Sequence, residues 1–471
     1  MNQTTTGARN AARSSIAETL SWSRELRETF ALAWPLVIAQ LAQTALFTTD
    51  VVMMGWLGPK FLAAGTLATT FLVPFLFAGT GITGAVAPLV AQARGARNIK
   101  AVRRIVRQGF WASAIIVAVL TPLLLQIRPL YAMLGQDPDA TILAEQFIQL
   151  AVPLLFPALG VIVLRSLLSA FNTTRIILVI TVAGVLFNAL CNYTLMFGNF
   201  GFPRLELRGS AISTLATNVL MFALFLIYVL THHRFRRFHI LHNFFKPDWF
   251  HLREIFRVGT PIGLTVLAEV GLFTAAALLM GRLGIDEVAA HAVALQCASL
   301  AFMIPLGLGI ASTVRVGNAY GRGDPEGIRK AGWMAFILGT GFMAFGGLSF
   351  VLWSHGIVGL FLDHTNPANS NALTLAASFL VVAGVFQLAD GAQVVAAHAL
   401  RGMSDTTVPM IVAIIGYWAV GLPVAYILGF VANWRGVGIW IGLAAGLAFV
   451  AVVLVTRFAM RERLGLLRSR S

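Results

Sequence analysis

Three acidic side chains stand where acid is expensive. Asp50, Glu269 and Asp390 interrupt long apolar runs, whereas the rest of the chain's 19 acidic residues sit in polar stretches or at the margins of apolar ones. Insertion scales charge roughly 2.5–3.5 kcal/mol for an aspartate at the centre of a membrane helix, so three such groups need a compensating role. Two chemistries fit them. A buried carboxylate can take up and release a proton as its access to water alternates, and ionised carboxylates with amide or carbonyl oxygens can hold a hard cation. The structural alternative is a satisfied ion pair, for which the only basic residue firmly inside an apolar run is Arg165.

Spacing arranges these acids. Glu269 lies 12 residues after Arg257 and Asp390 lies 11 before Arg401; at a rise of 1.5 Å per helical residue each is about 17 Å from the same end of its helix, near mid-membrane. Asp50 follows Gln43 by seven residues, on the same helix face but two turns further along. Asn188 and Asn192, spaced i,i+4, present two amides on one face, as cation ligands or as interhelical hydrogen-bonding groups. Phe273, one turn after Glu269, offers either a ring face to a cation or plain packing. Gln43, Gln296 and Tyr417 complete the candidate substrate or cation contacts, with Glu269 and Asp390 as a candidate Na⁺ pair.

The elements that must hold these residues are membrane helices. The chain has 471 residues, 58% hydrophobic and 11% charged, a composition outside the soluble range. About 20 apolar residues are needed to cross the hydrocarbon core with every backbone group paired. Twelve such runs begin near Ala31, Phe61, Ile105, Thr141, Ile176, Ser210, Val258, Glu287, Ala331, Asn371, Thr407 and Gly436. Of 34 Lys and Arg, six (Lys60, Arg128, Arg204, Arg208, Arg282, Arg435) fall on one side of these spans, Arg165 inside one, and 27 on the other. That bias predicts an even number of spans with both termini cytoplasmic. It also accounts for the net charge of +15 without nucleic acid, because the positives never line one soluble face. Cys191 and Cys297 lie in apolar segments and read as packing residues. The first 25 or so residues lack the apolar core of a secretory signal.

A shift of 226 residues lays Leu26–Gly58 over Leu252–Gly284 with 14 of 33 positions identical, among them Pro35/Pro261, Phe47/Phe273 and Gly58/Gly284. The register continues through Gly81/Gly307 and Gly95/Gly321. Six helices per repeat means two bundles entering the membrane in the same direction, with a site between them whose access alternates by rocking. The expected organisation is a cytoplasmic segment 1–27, an N-lobe 28–231, a polar linker 232–256, a C-lobe 257–460 and a tail 461–471. The repeat is asymmetric at the acids: Gln43 stands opposite Glu269, and Asp50 opposite Ala276.

The run Pro261–Gly321, with AEVGLF around Glu269 and AAHAVALQCASLAFMIPLGLGIASTVRVGNAYGRGD, then RGMSDTTVPM at Arg401–Met410 and GYWAVGLPVAYILG at Gly416–Gly429, resembles the multidrug and toxin extrusion (MATE) family, its NorM-type branch in particular. The resemblance covers nearly the whole chain. It implies a monomeric twelve-helix antiporter of the bacterial inner membrane that exchanges Na⁺ or H⁺ for lipophilic organic cations and needs no cofactor. By motif position the family's acids of the seventh and tenth helices fall on Glu269 and Asp390, and its first-helix aspartate on Asp50. A related branch has an aspartate where this chain has Asn192, which favours coupling centred on the second half. Some Na⁺-binding relatives carry a tyrosine where this chain has Phe386, which counts against carrying Na⁺ binding over.

Other signals are weaker. Gly79-Thr-Gly-Ile-Thr-Gly84 matches a dinucleotide fingerprint in form but lies in an apolar span with no preceding strand. Gly438, Gly442 and Gly446 read as a close-packing ridge. Histidines 232, 233, 239, 242 and 251 read as solvated linker. Pro35 and Pro261 are either kinks or first-turn prolines. Two other functions compete. A lipid-linked oligosaccharide flippase of the same superfamily would line its cavity with cations, whereas the buried charges here are acids. A membrane enzyme would use paired acids with a nearby histidine, an arrangement the spacing does not supply.

Overall fold

The computed structural model describes residues 4–467 except 134, 241, 243 and 362–369, with side chains from residue 22 onward. Among the described residues, twelve helices are long and apolar enough to cross a membrane: α1 (Trp22–Leu57), α2 (Pro59–Gly95), α3 (Ile99–Leu124), α4 (Pro138–Ala170), α5 (Thr174–Phe197), α6 (Leu207–Thr231), α7 (Trp249–Leu283), α8 (Ile285–Arg322), α9 (Pro325–Leu352), α10 (Ser370–Gly402), α11 (Thr407–Val431) and α12 (Arg435–Ala459). The expected spans are all present, each helix extending beyond its apolar centre. Pro35 and Pro261 therefore lie well inside α1 and α7, and the first-turn reading of these prolines fails.

Tight turns join the spans. Gly58 and Gly284, equivalent in the repeat, take φ values of +122° and +148° between α1/α2 and α7/α8, a backbone region closed to residues with a Cβ. The next helices open on Pro59 and Ile285. Asn98, Asp137, Asp248 and Asp324 each cap a helix by accepting a backbone N–H, the standard answer to the unpaired donors of a first turn. The segment between α6 and α7 holds a one-turn helix, His233–Arg236. It is tied to α3 by Trp111 donating to the Phe244 carbonyl and by an Arg104–Asp248 ion pair; α7 then begins at Trp249, so positions 249–256 are helical.

The repeat is visible in packing. α1 lies along α5 and α7 along α11; α2 packs on α4 and α8 on α10; α5 pairs with α6 and α11 with α12. Across the two halves, α2 packs on α7 and α8 on α1. Small residues permit both crossings: a Cβ on Gly81 would lie 2.6 Å from the Gly263 Cα, and one on Gly307 would lie 2.8 Å from the Val37 Cα. At the ends of α2 and α8, Gly95 meets the Asn318 carbonyl while its twin Gly321 meets that of Gln92. The Gly438, Gly442 and Gly446 ridge lets α12 lie against the backbone of α11 at Leu428, Ala425 and Gly421. Two stretches of α11, Ile415–Gly421 and Ile427–Val431, are wound as π-helix, a widening of the turn often found at functional sites.

Hydrogen bonds and ion pairs between the halves, among the described residues, gather at the end where α1 begins and α12 finishes. Arg315 of α8 holds Glu25 of α1 through two N–H···O contacts of 2.5 Å and Glu28 at 2.9 Å. Gln92 donates at 2.8 Å to the Gly402 carbonyl and to the Ser404 hydroxyl. This terminal end is latched.

Candidate functional site: an interlobe cavity and two carboxylate environments

Between the halves lies a cavity of about 540 Å³, large enough for a drug-sized organic molecule. Its wall from the first half includes Leu36 and Gln40 of α1, Phe77 and Thr80 of α2, and Arg165 and Ser166 of α4; the second half supplies Glu269 and Phe273 of α7, Met303 of α8, His398 and Arg401 of α10, and Tyr417 of α11. Most of the lining is apolar, which suits a lipophilic guest, and the few polar groups fix its orientation.

Glu269 faces this space from mid-α7, and the charge of Arg401 acts on it. Asp390 is 4% exposed and does not line the cavity; its Oδ1 lacks any hydrogen-bond partner, and the charge of Glu269 acts on it. Tyr417 is fully buried and donates at 2.7 Å to the Gln393 Oε1; it occupies the first π-helical stretch of α11, and its hydroxyl is within electrostatic range of both acids. Phe273 lines the cavity and packs edge-on against Phe386, ring centroids 6.2 Å apart, so it serves packing and cavity at once. Phe386 in turn abuts Trp440.

Asp50 occupies a separate environment inside the first half. Its Oδ1 accepts from Asn192 Nδ2 at 2.5 Å and its Oδ2 from the Thr214 hydroxyl at 3.2 Å, while Asn192 also donates to Asn188 Oδ1 at 3.2 Å. Both asparagines are completely buried. The structure thus joins Asp50, Asn188 and Asn192, and adds Thr214 from α6, to which no pattern in the sequence pointed. None of the four lines the cavity.

The remaining candidates disperse. Gln43 accepts from Arg165 at 3.1 Å, beside Gln40, which accepts from the same guanidinium at 2.9 Å. Arg165 therefore pairs with amides and forms no ion pair with the acids. Gln296 is exposed on α8, one turn beyond the lining residue Ser299. Arg401, expected at the cytoplasmic end of its helix, stands in the last turn of α10 and turns into the cavity, donating to His398 Nε2 at 3.2 Å. The buried charge is consequently mixed, and the expectation of an acids-only interior holds for the C-lobe pair but not for the cavity wall. Asp390, Gln393, Ala397 and Arg401 recur at three- and four-residue intervals, a helical stripe that would have shown Arg401 to share a face with the acid.

The MatE family model matches residues 35–194 and 261–427, two segments that start 226 residues apart, at the equivalent prolines. A probable multidrug resistance protein NorM of Mesorhizobium japonicum is 46% identical over 446 residues, 94% of this chain and 95% of that protein. A multidrug resistance protein NorM of Burkholderia vietnamiensis is 40% identical over 94% of this chain and 95% of that one. Among solved structures, the eukaryotic MATE transporter AtDTX14 superposes with a TM-score of 0.82 at 22% identity, covering 95% of this chain and all of that one. A Pyrococcus furiosus transporter described as having a binding pocket of reverse polarity superposes at 0.83 and 21%, covering 94% and 97%. At such identities these structures speak to the fold alone, but the full-length relatives go further: this multi-pass membrane protein is a transporter, not an enzyme, and belongs to the MatE family, in its NorM-type branch.

Proposed function

We propose that the chain is a monomeric efflux pump of the bacterial plasma membrane, with both termini cytoplasmic, that exchanges Na⁺ or H⁺ for lipophilic organic cations. The observation that carries this reading is Glu269 on the wall of a largely apolar interlobe cavity, with Asp390, whose Oδ1 has no hydrogen-bond partner, within its electrostatic range. A cationic guest beside Glu269 and an ion on the same acids compete for one charge, so loading one expels the other; that competition is the essence of exchange. The contacts that join the lobes gather at the terminal end, which in this reading faces the cytoplasm, and rocking of the lobes about the α2/α7 and α8/α1 crossings would part them there. Lys and Arg bias supports that orientation.

The test is ethidium transport in proteoliposomes, first under an imposed Na⁺ gradient and then under an imposed pH gradient. Transport driven by either gradient and lost in both Glu269→Gln and Asp390→Asn is the expected result; transport retaining its ion dependence in both variants would overturn the assignment. One observation favours a second reading. Arg165 and Arg401 on the cavity wall could hold the phosphates of a lipid-linked oligosaccharide, in which case translocation of such a lipid, and no ethidium transport, would be measured.

A further inference from the structure

Arg165 is the unexplained charge of the cavity. It projects from α4 on the first-half wall, partly open to the space. Its guanidinium is gripped by two neutral acceptors, Gln43 Oε1 on NH1 and Gln40 Oε1 on NH2. Amide oxygens aim the group without neutralising it, and no carboxylate among the described residues forms an ion pair with it. The cavity's other arginine is different: Arg401 sits within the field of Glu269, so those two charges offset each other. An uncompensated cation inside a membrane bundle is costly and marks a functional role. A guanidinium has five N–H donors in a fixed fork; two are taken, and those that remain suit a planar carboxylate.

We infer that Arg165 recognises an anionic group on the transported molecule, so that the cavity favours zwitterionic amphiphiles whose carboxylate meets Arg165 on one wall while their cationic centre meets Glu269 on the other. The inference rests on the cavity being the drug site. It places specificity in the first half and ion coupling in the second. A compound with a cation alone satisfies Glu269 and leaves Arg165 facing a like charge; a compound with both charges satisfies both walls. The paired glutamines have a matching purpose, since they hold the fork in place while the cavity is empty and reduce the ordering that binding must supply.

The test compares tetramethylrhodamine, which carries a free carboxylate, with its methyl ester, a monocation of nearly the same shape. Binding to purified full-length protein in nanodiscs is read by fluorescence polarisation, for the wild type, Arg165→Gln and Arg165→Lys. The wild type should bind the acid more tightly than the ester. In Arg165→Gln the acid should weaken by roughly tenfold or more, as expected for loss of a charge-assisted hydrogen bond, while the ester tightens. Arg165→Lys, keeping the charge but not the fork, should fall between. A wild type indifferent to the carboxylate, or an Arg165→Gln protein in which both dyes shift by the same factor or neither shifts, would overturn the inference while leaving the efflux reading intact. Failure of wild-type protein to bind the ester at all would instead strike at the cavity's assignment as the drug site. Ester binding by Arg165→Gln also shows that the variant is folded.

Discussion

The two halves of this molecule descend from one repeat yet treat their acids in opposite ways. In the first half, Asp50 is dressed by the Asn192 amide and the Thr214 hydroxyl and lies away from the cavity. In the second, Asp390 has an oxygen with no partner, and Glu269 looks into open space. A carboxylate whose lone pairs are committed resists change; one left unsatisfied in an apolar setting responds to any proton or cation that reaches it. By this comparison the second half is built to respond, and the first to hold.

The largest expected effect tests that division directly. Glu269→Gln or Asp390→Asn should reduce gradient-driven ethidium transport in proteoliposomes to the level of protein-free liposomes, whereas Asp50→Asn should leave a measurable fraction. Equal loss in all three would erase the distinction. Stability sharpens it further, because the sign should differ between halves. Asn192→Ala leaves a buried carboxylate short of its best donor, at a cost of about 1.5–3 kcal/mol, seen as a lower melting temperature in detergent. Asp390→Asn, by contrast, removes the repulsion from Glu269 and should raise the melting temperature, with a gain of about 1 kcal/mol or more. Tyr417→Phe, which breaks the hydrogen bond to Gln393, should cost about 1 kcal/mol and disturb transport less than either acid substitution.

The last effect, on stability alone, belongs to neither environment and serves as a reference. Asp248 caps α7, accepting from the His251 amide at 3.3 Å and contacting its ring at 2.9 Å. Partial burial opposes the charged form, but the bonds to His251 and the nearby Arg104 prevail and hold this carboxyl below its ordinary range. A group depressed on folding stabilises the fold above its unfolded range and loses that contribution as the pH falls through its folded value. Asp248→Ala should thus cost about 1 kcal/mol at neutral pH, and the difference in melting temperature should shrink only in strong acid.

How much of this was legible in the sequence follows from the range of each interaction. Hydropathy is local, so all twelve spans could be read. The repeat placed Gln43 opposite Glu269 because α1 and α7 align without gaps. Asp50, Asn188 and Asn192 were each noticed, but their union depends on α1 lying along α5, a tertiary fact with no sequence period. Thr214 is one of many threonines in spans, most of which only return a bond to the preceding turn, as Thr214 itself also does to Ser210. That Arg401 turns into the cavity was not legible, because a cation at a helix end can turn toward solvent or inward, and composition does not distinguish the two. Only the stripe it shares with Asp390 carried that information.

The paired crossings of α2 on α7 and α8 on α1 also bear on speed. Where Gly81 meets Gly263, backbone lies against backbone, so tilting one lobe against the other moves few side chains past one another. The equivalent crossing is coarser: there the Val37 side chain lies against Gly307, in the place that Gly263 takes against Gly81. Such a joint behaves as a bearing with one smooth race and one rougher one, and wear shows first when the smooth race is roughened. A single methyl at position 81 would therefore be felt as slower turnover before it was felt as weaker binding.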